Sequence, residues 1–208
     1  MSGRYALFRW SPAFAALPGF PDDQQPHWSI APGAPVLLLR QAETAGDMQL
    51  CRVRWGLTPA WLTDLTRTPA HARSESVADQ PMFRDAFRLR RGLLPANGFY
   101  EWRGNARKQP FWMTGEGSLL YFAAIWEAYP VQGHTYLSAA MLTVPAANQR
   151  RPLILDEAGQ AAWLAQDTPL PHLHELLAQT RQPLRERALA TFINDPALDS
   201  PQCLTPLN

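Results

Sequence analysis

Polar and apolar residues alternate from the start of the chain, and Gly3 to Trp10 reads as a strand. Pro35 to Arg40 and Gln49 to Leu57 form a second pattern of this kind, a hairpin joined through Ala45-Gly46-Asp47. The period then changes in "ADQPMFRDAFRLRRG". Asp79 suits an N-cap, Pro81 a first turn, Met82, Phe83 and Ala86 an apolar face, and Gly92 a helix end. Arg84, Arg88 and Arg91 would share one side of that helix, either as a solvated face or as a phosphate-binding one. Strand patterns return at Gly98 to Arg103, Pro110 to Thr114, Leu119 to Glu127 and Thr135 to Val144, with "GEGS" as the turn joining the middle pair. Helical patterns at Glu157 to Gln166 and His172 to Gln179 precede a last strand near Ala188 to Ile193. The expected class is α+β: one domain over residues 1–208, with a curled, mainly antiparallel sheet or barrel-like core flanked by helices. The Pro/Asp/Gln-rich loop from Pro18 to Pro26 is the candidate for a mobile flap.

Composition narrows the class further. With 208 residues, 46% of them hydrophobic and 18% charged, the chain can build a substantial single core. No basic stretch followed by a long apolar run opens the sequence, and nowhere do about 18 apolar residues follow one another. Cys51 and Cys203 are the only cysteines and form no paired motif. The expectation is a cytoplasmic protein, nucleoid-associated if bound to DNA, with no membrane partner. Net charge is only +1, yet Lys108 is the one lysine among nineteen basic residues. Arginine pairs with phosphate through a planar fork and stacks on flat rings, so the bias, together with eight tryptophans, suits nucleic acid; biased codon usage and core packing account for it equally well.

Candidate chemistry is sparse. No glycine-rich loop precedes a helix, so a nucleotide cofactor has no support, and no other cofactor is indicated. His172 and His174, two residues apart on a helical pattern, face different ways, and no metal site is expected. The stretch "GLLPANGFYEWR" stands out. Glu101 lies between Tyr100 and Trp102 on a strand, so its carboxylate points away from both rings, after a turn at Asn97-Gly98. A carboxylate in aromatic surroundings suits general acid/base work, and an exposed strand residue is the plainer reading. "WGLTPAW" offers Trp55 and Trp61, to stack bases or to fill the core. In "HARSES", His71, Arg73 and Glu75 alternate and would share one face if extended.

Taken in order, these segments resemble the SOS-response-associated peptidase (SRAP) family of abasic-site processing proteins, nearly end to end. "MSGRY" resembles the family's opening Met-Cys-Gly-Arg, "WGLTPAW" its W-G-L-x-P-x-W, and "HARSES" its N-A-R-x-E. "FRDAFRLRRGLLPANGFYEW" resembles its helix and G-x-Y-E-W, "KQP" its K-x-P, and "AAIWE" its A-G-L-W-E, while "TVPAANQRRPLIL" and "FINDP" resemble later segments. The resemblance implies a protein that binds single-stranded or junction DNA containing abasic sites. In the family, Met1 is removed, the exposed Cys amine condenses with the sugar aldehyde, and the thiol closes a thiazolidine ring, leaving a DNA-protein crosslink. By the same resemblance, Arg4, Arg73 and Trp55 would hold phosphates and bases and Glu101 would be the acid/base carboxylate; Trp61 and Arg151 are further candidates for DNA, and Ser2 and His71 are candidates for the reactive end.

The departures fall on the reactive groups. Position 2 is Ser2 rather than Cys, His71 replaces the Asn of N-A-R, and the histidine of the family's I-H-x-R-M-P is absent from "NQRRP". An α-amine, ordinarily with a pKa of about 8, is about a tenth unprotonated at neutral pH and can still form an imine. A hydroxyl is a weaker nucleophile than a thiol, so ring closure is disfavoured and a labile imine is expected in place of a durable crosslink. His71 can donate a hydrogen bond as Asn would and can also carry a proton. Two other readings stay open: a DNA-binding relative without chemistry, and a peptidase that removes its own Met1.

Overall fold

The computed structural model describes all residues except 1–2, 43–45, 105, 107, 118, 148 and 179–181. In chain order the elements are β1 (Tyr5–Leu7), α1 (Pro12–Ala15), β2 (His27–Ile30), β3 (Pro35–Gln41), β4 (Met48–Trp55), β5 (His71–Arg73), α2 (Arg84–Leu89), β6 (Arg91–Ala96) and β7 (Gly98–Arg103). They continue as β8 (Gln109–Thr114), β9 (Leu120–Val131), β10 (His134–Ala146), β11 (Gln149–Pro152), α3 (Glu157–Leu164), α4 (Leu170–Ala178) and β12 (Arg185–Ala188). Two short 3-10 turns, Thr191–Asn194 and Pro201–Leu204, follow.

Strands β10, β4, β3, β6 and β9 pair in a ring that closes through β9 on β10, so this sheet has no free edge within the ring. β5 and β11 add to β10. A second sheet runs β12-β8-β7-β1-β2. Only the pairings of β10 with β4 and with β5 are parallel among the described strands; the rest are antiparallel. The α+β class and the barrel-like, mainly antiparallel core are therefore as expected.

Apolar side chains form three layers. Tyr5, Leu38, Trp55, Phe99, Phe122 and Met141 fill the barrel. Phe87, Trp163, Leu173 and Leu176 press α2, α3 and α4 onto its outside, against Ala123, Ile125 and Leu142. Phe122 and Ala124 face inward while Ala123 and Ile125 face the helices, which is why β9 reads as a continuous apolar run. The third layer, Ala6, Tyr100, Trp112, Ile193 and Cys203, covers the far face of the second sheet.

Several expected elements shift. The helix around residues 79–92 is only α2; Phe83 occupies its N-cap without a side-chain hydrogen bond, and turns replace the segment around Asp79 and Pro81. Gly92 lies within β6, where an added Cβ would sit 2.8 Å from the Leu38 side chain. Arg91 departs furthest from the expected exposed stripe. It is 1% exposed, and its guanidinium donates to the carbonyls of Phe87 and Arg88 at the end of α2 and of Trp163 and Ala165 at the end of α3. Helix C-termini carry unpaired carbonyls and partial negative charge, so one arginine satisfies two of them at once. The last strand, β12, ends where the expected one begins, and Thr191–Asn194 is a 3-10 turn. The Pro18–Pro26 loop is tied down: Leu50 donates to the Pro18 carbonyl (2.8 Å), and Arg52 pairs with Asp23 (2.8 Å). Of the expected turns and ends, Ala45, Ser118 and Gln179 lie outside the described residues. No described helix is long and apolar enough to cross a membrane.

Candidate active site

Asn97 is the single residue between β6 and β7, and it hands the chain from the barrel to the second sheet. Its side-chain oxygen accepts from the backbone N–H groups of Phe8 (2.7 Å) and Arg9 (3.0 Å), its amide donates to the Arg9 carbonyl (2.8 Å), and its own N–H donates to Ala6. The turn is thereby locked to the segment that follows β1. Gly98 comes next because a Cβ there would lie 2.5 Å from the Met113 carbonyl oxygen. From this fixed start the strand alternates. Tyr100 and Trp102 face the third layer, and the Tyr100 hydroxyl donates to the Trp28 carbonyl (2.6 Å). Glu101 faces the other way, as its spacing implies.

What surrounds Glu101 is ionic. Its side chain is 0% exposed. Arg151, from β11, reaches it through Nε (2.6 Å) and a second nitrogen (3.2 Å), and Arg103, two residues along β7, adds a third contact at 3.1 Å. Arg103 also binds Glu186 of β12 at 2.8 and 3.2 Å, and the pairing raises the Arg103 pKa and lowers that of Glu186. The sequence led to an expectation of aromatic surroundings; Phe111 does lie across β8 from Glu101, but the carboxylate itself is met by guanidinium groups, from Arg103 on its own strand and from Arg151 on β11 of the barrel sheet. Arg151 belongs to this network, so the role expected for it on DNA is replaced by, or shared with, a clamp on Glu101.

A cavity of about 480 Å³ opens beside Gly3, lined also by Arg4, Trp102, Lys108, Gln149 and Asn194. Trp102 is the neighbour of Glu101 and Gln149 lies two residues before Arg151, so the cavity borders the same two strands. Among the described residues that line it, the two charged ones are both cations. Arg4 donates to the Ile193 carbonyl (2.6 Å) and to Ser29 Oγ (3.3 Å), and its guanidinium lies 4.9 Å from the Trp102 ring. Arg4 is on the face of the sheet opposite Glu101, since β1 and β7 alternate alike. Gln149 and Asn194 were not singled out in the sequence, whereas Lys108, as the sole lysine, and Trp102, beside Glu101, were noted there without being placed in the site.

The other expected positions separate. Ser2 lies outside the described residues, next to the cavity-lining Gly3. Trp55 is 0% exposed: its ring meets Tyr5 edge-on at 5.2 Å, and its Nε1 donates to the Ala70 carbonyl (2.8 Å). It fills the barrel, so a base-stacking role for Trp55 is ruled out by burial. Trp61, in the loop after β4, is 57% exposed and has a free face. His71 is half-buried on β5 with its ring 5.4 Å from that of Trp55, and Arg73 is exposed two residues on. Glu75 leaves their common face because β5 ends at Arg73. The chain turns there, and Glu75 meets Arg150 at 2.6 and 2.8 Å; those hydrogen bonds hold its carboxyl at about 2.

A family model described as SOS response associated peptidase (SRAP) matches residues 1–196. The chain belongs to the SRAP family. It is 26% identical over 196 residues to the abasic site processing protein YoaM of Bacillus subtilis, covering 88% of this chain and 86% of that one. It is 28% identical to YedK of Escherichia coli, which carries the same description, covering 86% of each chain. HMCES of Xenopus tropicalis, also so described, is 25% identical over 89% of this chain and 68% of its own length. In fold the chain superposes on a crystal structure of a protein from Bacteroides thetaiotaomicron with a TM-score of 0.85, at 16% identity, over 99% of this chain and 100% of that one. The SRAP resemblance carried by the motifs is thus established across almost the whole domain.

Proposed function

We propose that this SRAP domain binds single-stranded DNA and senses abasic sites, holding the sugar aldehyde reversibly through the α-amine at residue 2. The observation that supports it most directly is the cationic cavity at Gly3, bordered by the strand that carries the clamped Glu101. Phosphates on either side of a lesion are drawn to Arg4, Lys108 and the exposed Arg73. Trp61 offers an open ring on which a base can stack. The relatives' shared description as abasic site processing proteins points to the same substrate. With Met1 removed, Ser2 presents the amine that forms an imine and lacks the thiol that closes a stable ring, so capture is reversible.

The test is a denaturing gel and intact mass after mixing the protein with abasic single-stranded DNA, with and without borohydride. An adduct trapped only with borohydride is expected, and Ser2→Cys should give one that survives without it. A stable adduct of the unaltered chain contradicts the reading of Ser2; strand binding with no adduct in either condition reduces the protein to a DNA binder. Trp61→Ala should weaken strand binding by about 1–3 kcal/mol without altering stability, because its ring is not part of the core.

A further inference from the structure

The sole lysine of the chain lines the same cavity as Gly3. It is the last residue of the loop that joins β7 to β8. The next residue, Gln109, pairs with Arg103 across the hairpin, and its side chain donates to the Leu189 carbonyl (2.5 Å) and the Pro110 carbonyl (3.1 Å). A flexible alkylamine thus starts one residue before β8, the strand paired with that of Glu101, in a cavity whose other charged lining residue among the described ones, Arg4, is also a cation. Among the described residues no carboxylate lines the cavity to hold the ammonium group as an ion pair, and anionic DNA is the complementary partner. From this juxtaposition we infer that Lys108 is a second aldehyde-capturing amine of the pocket, taking the open-chain sugar of an abasic site when the α-amine of residue 2 is blocked or already released.

The inference rests on the abasic-site reading above. In the step itself, the lone pair of neutral Nζ attacks C1′ of the open-chain aldehyde and the carbonyl π electrons move to oxygen. The carbinolamine then loses water, whose hydrogens derive from the amine, and a C1′=Nζ double bond remains. Addition of water reverses it. Borohydride delivers hydride to C1′ and leaves a secondary amine.

Because the chain has one lysine, a trapped aliphatic adduct can sit only on Nζ of Lys108 or on the α-amine, which makes the assignment direct. The experiment is equimolar abasic single-stranded oligonucleotide plus borohydride, followed by digestion and mass mapping, with Lys108→Arg alongside. The expected result is an adduct on the Lys108 peptide, enriched at least several-fold when the α-amine is acetylated, and absent from Lys108→Arg. An adduct confined to the α-amine overturns the inference while leaving the proposed function standing. Failure of the protein to bind the strand overturns that function instead. Free deoxyribose 5-phosphate then decides Lys108 by itself: faster labelling in the folded protein than in urea supports a built site, and equal labelling overturns it.

Discussion

Arg150 and Arg151 are adjacent on β11, and each clamps a carboxylate through two nitrogens, yet they face opposite ways into unlike surroundings. Arg151 turns to Glu101, whose side chain is wholly buried and which Arg103 contacts as well. Arg150 turns to Glu75, whose side chain is 48% exposed. Strand alternation sends the neighbours apart, and the burial of the partner then sets the consequence. A buried carboxylate has lost its water and depends on its guanidinium partners, whereas an exposed one exchanges a protein contact for a solvent contact of similar worth. The first pair therefore belongs to the buried seam where β11 meets the second sheet, and the second is a tie between β11 and the turn after β5 at the surface.

The sharpest way to break this contrast is to remove each carboxylate's charge. Glu101→Gln leaves Arg151 and Arg103 facing a neutral amide, and chemical denaturation should register a loss of about 3–5 kcal/mol. If the variant is as stable as the parent, the Glu101 cluster is not the keystone that its burial implies. Gly98→Ala tests the backbone beneath it. A Cβ 2.5 Å from the Met113 carbonyl must shift β7 against β8, and a loss of about 1–3 kcal/mol is expected by thermal unfolding, with unchanged secondary-structure content by circular dichroism.

Glu75→Gln should cost less than about 1 kcal/mol at neutral pH, because solvent screens a half-exposed pair. Its signature is the pH profile. Hydrogen bonds from Arg150 hold the Glu75 carboxyl at about 2, below its reference value of 4.5, so the stabilisation is complete above about 4.5 and is lost as pH falls through about 2. Stability measured between those limits should fall less steeply for Glu75→Gln than for the parent. The smallest effect expected is from salt. Raising it to about 1 M should erase what little Glu75→Gln costs at low ionic strength while leaving the Glu101→Gln loss nearly intact.

These two pairs also mark how far the sequence could be read. The period of two in "GFYEWR" located β7 to the residue and told which side Glu101 faces, because alternation is a local property of extended backbone. It could not name Arg151 as the partner, fifty residues away, since that contact needs β11 to fold back along β10 and lie over the second sheet. The same limit explains Arg91. As a residue spaced three from Arg88 it reads as surface, and only the arrival of α3 against the end of α2 turns its position into a buried cap on two helices. Trp55 and Trp61, six residues apart in one motif, were indistinguishable by composition. β4 carries the first into the barrel, and the loop beyond leaves the second exposed.

By itself, then, the sequence determined the class of the fold, most of the strands and the family, through local periodicity and motifs whose order survives independent of geometry. Tertiary structure alone decided which arginines meet carboxylates, which tryptophan of the motif is exposed, and that the single lysine shares a cavity with the start of the chain. Those facts depend on closing a ring of five strands and laying a second sheet beside it, which joins residues far apart in sequence whose burial no local pattern encodes.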